Sequence, residues 1–164
     1  MKPITFTINL CPKPKGRPRY GRTSDGRPVV FTDNATRAFE AAVGQMSAYY
    51  IKSPLEGPIR LDILMVLPRP QRLLRKKDPP GLIWAPKRPD RDNIEKAICD
   101  GLKTCFRDDA QICAGEPVKV YAEKNGKPRI IISIVTLEDD DPLTENPYLA
   151  RAYAKDIDPA QNPW

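Results

Sequence analysis

Proline and basic residues arrive together in this chain, and their placement limits where regular structure can form. Pro12-Lys-Pro-Lys-Gly-Arg-Pro-Arg-Tyr-Gly-Arg22 holds three prolines, two glycines and five bases. Each proline fixes φ and removes a backbone donor, so this segment is expected to contain no regular structure. Residues 68–92 hold six prolines and eight bases: Arg69, Arg72, Arg75, Lys76, Lys77, Lys87, Arg88 and Arg91. They read as one long loop, and a loop of that length inside a small domain is usually functional or mobile.

Periodic segments fill the spaces between. Ile4, Phe6, Ile8 and Leu10 alternate with polar residues, as in a half-buried strand, and Val29-Val30-Phe31 is a short strand. Thr32 or Asp33 caps a helix to about Ile51, with Ala35, Ala38, Phe39, Ala42, Val43, Met46, Tyr49 and Tyr50 at helical spacing. Ile59–Leu67 alternates and then turns continuously apolar, the mark of a central strand. A second helix runs from about Asn93 to Cys105, with Ile94, Ala97, Ile98 and Leu102 as its buried stripe. Two apolar runs, 117–123 and 129–136, bracket Lys-Asn-Gly-Lys at 124–127, which predicts a hairpin because Asn-Gly suits a turn of positive φ. The order predicts an α+β fold: a small mixed sheet with two main helices packed on it. At 164 residues the chain suits one domain, 1–137, followed by an acidic, proline-containing tail, 138–164, which reads as poorly ordered or as a docking segment.

Composition narrows the chemistry. The chain has no histidine, which removes the commonest general base, imidazole-containing zinc sites and every imidazole triad. Cys11, Cys99, Cys105 and Cys113 form no C-x-x-C pair, and reduced thiols in a cytoplasmic protein are the expectation. The longest unbroken apolar stretch, Ile63–Leu67, is far short of a bilayer span, and the alternating N-terminus is unlike a signal peptide. The net charge of +6 conceals an asymmetry. Residues 138–164 carry seven acids against two bases, a balance of −5, so residues 1–137 carry 25 bases and 14 acids, or +11. A body this basic suits a polyanionic partner, nucleic acid first, although a solvated basic face is the plainer reading.

The segment richest in chemistry is Pro89-Asp-Arg-Asp-Asn-Ile-Glu-Lys-Ala-Ile-Cys-Asp100, followed by Phe106-Arg-Asp-Asp-Ala-Gln-Ile112. Asp90 and Asp92 precede the second helix, and on an extended approach both carboxylates face one side. Asn93, Lys96 and Asp100 fall on one polar face of that helix. The return of the chain is expected to bring Asp109 near Asp90 and Asp92. Three carboxylates without histidine suit a hard cation, Mg²⁺ or Mn²⁺. Other roles stay open: Asp92 and Glu95 also read as a D-x-x-E capping box, Asp100 as a partner for a lysine, and Asp108-Asp109 as turn formers.

At these residues the chain resembles the RusA family of Holliday-junction resolvases. The family signature is P-D-x-D-N-x-x-K-x-x-x-D-x-L, followed by an acidic pair, a small residue, Gln and an aliphatic. Lys13–Tyr20 resembles the basic N-terminal loop of phage-type members. The resemblance implies an endonuclease that cuts four-way DNA junctions with Mg²⁺, or Mn²⁺ in its place, as a symmetric homodimer in the cytoplasm of a bacterium or phage-infected cell. It implies no small-molecule cofactor and no membrane. By position, Asp90, Asp92 and Asp109 match the metal-binding catalytic aspartates, and Lys96 matches the essential lysine. Asn93, Asp100 and Asp108 occupy supporting positions. Lys15, Arg17, Arg19, Arg22, Lys76, Lys77, Lys87 and Arg88 are the expected phosphate contacts. Two alternatives stand beside this reading: a nuclease for flaps or forks, and a branched-DNA-binding module without catalysis. The connection before Asp108, the length of the 68–88 loop and the acidic tail depart from the family pattern.

Overall fold

The computed structural model describes residues 2–17, 19–31 and 33–137; the acidic tail 138–164 and the alternative cap Thr32 lie outside the described residues. The strands are β1 (Ile4–Ile8), β2 (Arg19–Arg22), β3 (Pro28–Phe31), β4 (Ile59–Leu67), β5 (Ile83–Trp84), β6 (Ile112–Ala114), β7 (Pro117–Tyr121) and β8 (Arg129–Thr136). Among the described residues there are also two helices, α1 (Asn34–Ser47) and α2 (Arg91–Gly101), and short 3-10 turns at Gln71–Leu73, Leu102–Thr104 and Asp109–Gln111. It is a mixed sheet with two helices, an α+β architecture.

β4 is central, as its apolar run predicts. The sheet order is β1-β8-β4-β7-β5, with β6 pairing β4 off that path. β8 runs antiparallel to β4 on one side, while β7 and β6 run parallel to it on the other. The expected 117–136 hairpin therefore does not form, because β4 separates its two arms. Two physical reasons account for this. Among the described residues no non-glycine residue has positive φ and Gly126 is not a positive-φ glycine, so the Asn-Gly turn required for a tight hairpin is absent. The run Ile130-Ile131-Ile132 is apolar on both faces, which suits a strand inserted between β1 and β4.

One face of the sheet meets the helices. Ile59, Leu61, Ile63, Met65 and Leu67 of β4, Ile130, Ile132 and Ile134 of β8, and Phe6 and Ile8 of β1 are buried in one cluster with Phe39 and Val43 of α1 and Ile94, Ala97 and Ile98 of α2. The helices meet most closely at Gly101, where a Cβ would sit 2.7 Å from the Val43 Cβ, so only glycine allows this approach. Asp33 caps α1 by accepting a hydrogen bond from the Thr36 amide at 2.9 Å. The helix stops at Ser47, short of the expected Ile51, because Tyr50 turns away to stack on Phe6 at 4.7 Å between ring centroids.

Arg19–Arg22 is a correction. It forms a two-stranded ribbon with β3, Tyr20 opposite Val30, where no regular structure was expected. The prolines of that segment all precede Arg19, and Pro28 occupies the first residue of its strand, where a missing donor does least harm. The 68–92 loop is also more ordered than its composition suggests. Arg69 donates to the carbonyls of Leu73 (3.0 Å), Pro79 (2.7 Å), Gly81 (3.0 Å) and Ala122 (3.3 Å), so one base of the loop is its internal brace.

Two measurements check this packing. Phe106 is fully buried, and Phe106→Ala is expected to cost ~3–5 kcal/mol in urea unfolding with the slope unchanged. Glu123 accepts two hydrogen bonds from Arg129 (2.8 and 3.0 Å), which hold its carboxyl at about 2 against an ordinary 4.5. A lowered folded-state value means this stabilisation is complete above the ordinary range and is lost as pH falls through it toward 2. Glu123→Gln is therefore expected to flatten the stability profile between pH 4.5 and 2, measured by thermal unfolding across that range.

Candidate active site

The first turn of α2 differs from its sequence reading in a way that bears on chemistry. The helix begins at Arg91 with Asp90 as its N-cap residue, in extended backbone (φ −70°, ψ 144°) and without a side-chain capping hydrogen bond. The D-x-x-E box at Asp92 does not form, because Asp92 already lies inside the first turn. Asp90 and Asp92 are both exposed, and among the described residues their carboxylates make no hydrogen bond or ion pair. The partial positive charge at the helix start favours two anions here.

The other motif residues have distinct surroundings. Lys96 is exposed on α2, and Asn93 accepts the Lys15 amide at its backbone carbonyl (3.0 Å). Asp100 is mostly shielded and forms ion pairs with Lys15 and with Lys103, the latter at 2.9 Å. Burial works against its charge, but hydrogen bonds from Lys15 and Lys103 outweigh this and hold its carboxyl below the ordinary range. Asp108 caps the 3-10 turn by accepting the Ala110 amide at 2.8 Å, and Gln111 Oε1 accepts the Asp108 amide in return at 3.0 Å. Gln111 Nε2 also donates to Leu55 and Gly57 carbonyls (3.1 and 2.8 Å), so the glutamine of the motif bolts this turn to the segment before β4.

Asp109 is exposed on that turn, and its charge is felt toward the far end of α2. It helps raise Lys103, after the hydrogen bond and charge of Asp100. Burial first, then Glu95, Asp109 and Asp100, push the Cys99 thiol up to about 12, which keeps it protonated. With a rise of about 1.5 Å per residue, Asp92 and Cys99 are ~10 Å apart along the helix. Among the described residues no group of three or more acidic or thiol side chains stands close enough to hold a metal ion. The expected gathering of Asp90, Asp92 and Asp109 is therefore not present. Asp90, Asp92 and Asp109 each offer the oxygen donors that a hard cation takes, although the three do not stand together as one group in this structure.

Bases flank the two carboxylates. Lys87 and Arg88 are exposed immediately before Asp90, joined to it by a cis Arg88–Pro89 peptide. Lys76 and Lys77 are exposed further back in the same loop. Arg17 and Arg22 are exposed on the N-terminal arm, with Arg19 opening β2, whereas Lys15 is already engaged by Asp100.

A family model described as endodeoxyribonuclease RusA matches residues 9–135. The chain belongs to the RusA family. The match covers most of the chain and spans the N-terminal arm, both helices and every strand of the sheet except β1 and the last residue of β8. No curated protein matches the sequence. Membership makes this RusA-family chain an endodeoxyribonuclease of the Holliday-junction-resolving type. Among the described residues no helix is long and apolar enough to cross a membrane.

Lys119 is a residue of the site region that the motif reading passed over. It occupies β7 between Val118 and Val120, and its ammonium donates to the carbonyls of Lys87 (2.9 Å) and Pro89 (2.6 Å). It thereby ties the segment bearing Lys87, Arg88 and Asp90 to the sheet. The available signal was a lysine on the strand face that otherwise packs toward the helices, opposite Met65. Lys119→Met removes two charge-assisted bonds, so local opening should rise by about ten-fold, the effect of ~1.4 kcal/mol. Trypsin cleavage after Lys87 under native conditions reads this directly.

Proposed function

We propose that this protein resolves four-way DNA junctions by metal-dependent hydrolysis of phosphodiester bonds, acting as a two-fold homodimer in the cytoplasm. The observation that carries the reading is the pair of exposed carboxylates, Asp90 and Asp92, which make no hydrogen bond or ion pair among the described residues and follow closely on Lys87 and Arg88. Acids serving as caps or ion pairs would be satisfied within the chain, as Asp108 and Asp100 are.

Each group has a role in this reading. Lys87, Arg88, Lys76, Lys77, Arg17, Arg19 and Arg22 hold phosphates without reading sequence, and binding accordingly weakens steeply with salt. Asp90 and Asp92 would hold Mg²⁺, or Mn²⁺ in its place, with Asp109 as the third proposed ligand. Such an ion supplies an activated water and a counter-charge at the phosphate. Lys96, exposed on the next turn of α2, neutralises charge that develops on the scissile phosphate. A symmetric dimer offers two such sites to opposed strands of a pseudo-symmetric junction, which accounts for paired nicks.

A synthetic mobile junction tests this with wild type and Asp92→Asn in parallel. Mg²⁺-dependent paired cuts are expected for wild type. Asp92→Asn should bind the junction with unchanged affinity and cleave at least ~100-fold more slowly, the scale of losing one electrostatic stabiliser. Wild type that leaves every branched DNA intact would falsify the enzymatic reading and favour a binding module. Cleavage of forks or flaps alone would overturn only the substrate.

A further inference from the structure

Among the described residues the N-terminal arm is hydrogen-bonded to the two helices around Lys15 and Gly16, and a motif residue takes part in that fastening. The chain leaves β1 at Ile8 and reaches the basic ribbon at Arg19, with Lys15 and Gly16 as its seat on the helices. The Lys15 amide donates to the Asn93 carbonyl at 3.0 Å, at the start of α2. The Lys15 ammonium pairs with Asp100, seven residues further along the same helix face. It also stands 3.7 Å from Glu40 of α1, whose Oε1 is buried without a hydrogen bond among the described residues. The Gly16 amide donates to the Thr36 hydroxyl at 2.9 Å, and that hydroxyl donates to Asp33 at 2.8 Å. No side chain fits at Gly16, since a Cβ would lie 1.7 Å from Asp33 Oδ2.

We propose that Asp100 is a positioning residue, holding the arm that bears Arg17, Arg19 and Arg22 in a fixed seat against both helices through its grip on Lys15. The proposal rests on the DNA-binding role given to that arm. Lys15 is then not a phosphate contact but a tether. Its ammonium is already surrounded by two carboxylates, and backbone and side chain are held at two points of α2. Arg17 and Arg22 stay exposed on either side of Tyr20, which is 84% exposed. The gain is one of entropy: an arm seated before DNA arrives loses less freedom on binding than a loose one. Asp100 therefore acts on affinity for the junction rather than on the chemical step. Lys103, the second base on Asp100, remains as a partner in a Lys15 variant and keeps the carboxylate paired.

Hydrogen exchange of the whole chain tests the tether without DNA. Asp100→Asn and Lys15→Met are each expected to speed exchange of the Lys15 and Gly16 amides about ten-fold, with β4 and β8 amides unchanged. The double variant should be no faster than either single one, because both remove the same bond. Unchanged exchange at Lys15 and Gly16 in both variants overturns the proposal. So does full additivity. A second arm uses the four-way junction. In both variants Kd should rise about ten-fold with the slope of log K against log salt kept at the wild-type value, because the same phosphates are neutralised once the arm has docked, while the rate at saturating DNA stays at the wild-type value. Faster exchange with an unmoved Kd would show that the arm is seated for stability alone, and would also overturn it. If wild type binds no branched DNA, the junction-resolving reading fails, whereas the exchange result still decides whether Asp100 holds the arm.

Discussion

Hydrogen bonding along both edges of β4 is the constraint from which the rest of this molecule follows. Nine residues of one strand fix the register of β8 on one side and of β6 and β7 on the other. A parallel neighbour cannot be reached by a tight turn, so the chain between β4 and β7 must cross a face of the sheet, and α2 makes that crossing. Two of the catalytic candidates, Asp90 and Asp92, sit at the start of this crossover helix. Their position is therefore set by strand pairing and by the packing of Ile94, Ala97 and Ile98, not by local loop preference. Because Gly101 admits no side chain, α1 lies close against α2, and the seat for the N-terminal arm is built from both helices.

Charge in this protein divides into groups that are consumed by the fold and groups that are left over. Arg69, Lys119 and Lys124 spend their donors on backbone carbonyls of the proline-rich loop and its flanks. Asp108 and Asp100 are likewise satisfied, one by amides and one by ammonium groups. Among the described residues Asp90, Asp92, Lys87, Arg88, Lys76 and Lys77 are not engaged in this way at their side chains, and they lie on one continuous stretch of chain. A high count of bases alone cannot make this distinction. It takes the hydrogen-bond partners to separate a brace from a surface open to DNA.

The periodic segments were the legible part of the fold. The bounds of β4 match its apolar run, and the stripe Ile94, Ala97, Ile98, Leu102 is buried as its spacing implies. Strand pairing was not legible, because alternation identifies a face but not a neighbour. The 124–127 turn had hairpin residues without hairpin dihedrals, and the three consecutive isoleucines of β8 were the stronger evidence. In the site, the residue types of the motif could be read from the sequence, but their states could not. Asp92 was open to a capping role until the helix was seen to begin at Arg91, and Asp109 was expected beside Asp90 and Asp92, where it is not gathered. Lys119 escaped notice because its partners are carbonyls, which leave no trace in side-chain patterns.

The place of β8 carries a consequence for how the molecule comes into being. The last strand described enters the middle of the sheet, and it is what joins β1 to β4: Thr5 and Ser133, which share a hydrogen bond, are 128 residues apart. A nascent chain that has reached Asn125 therefore still lacks the strand that joins β1 to β4. Sheet closure waits for residues 129–136 to leave the ribosome, so nearly the whole domain is synthesised before its core can shut. In this topology every candidate residue of the site is translated before the strand that completes the scaffold beneath it.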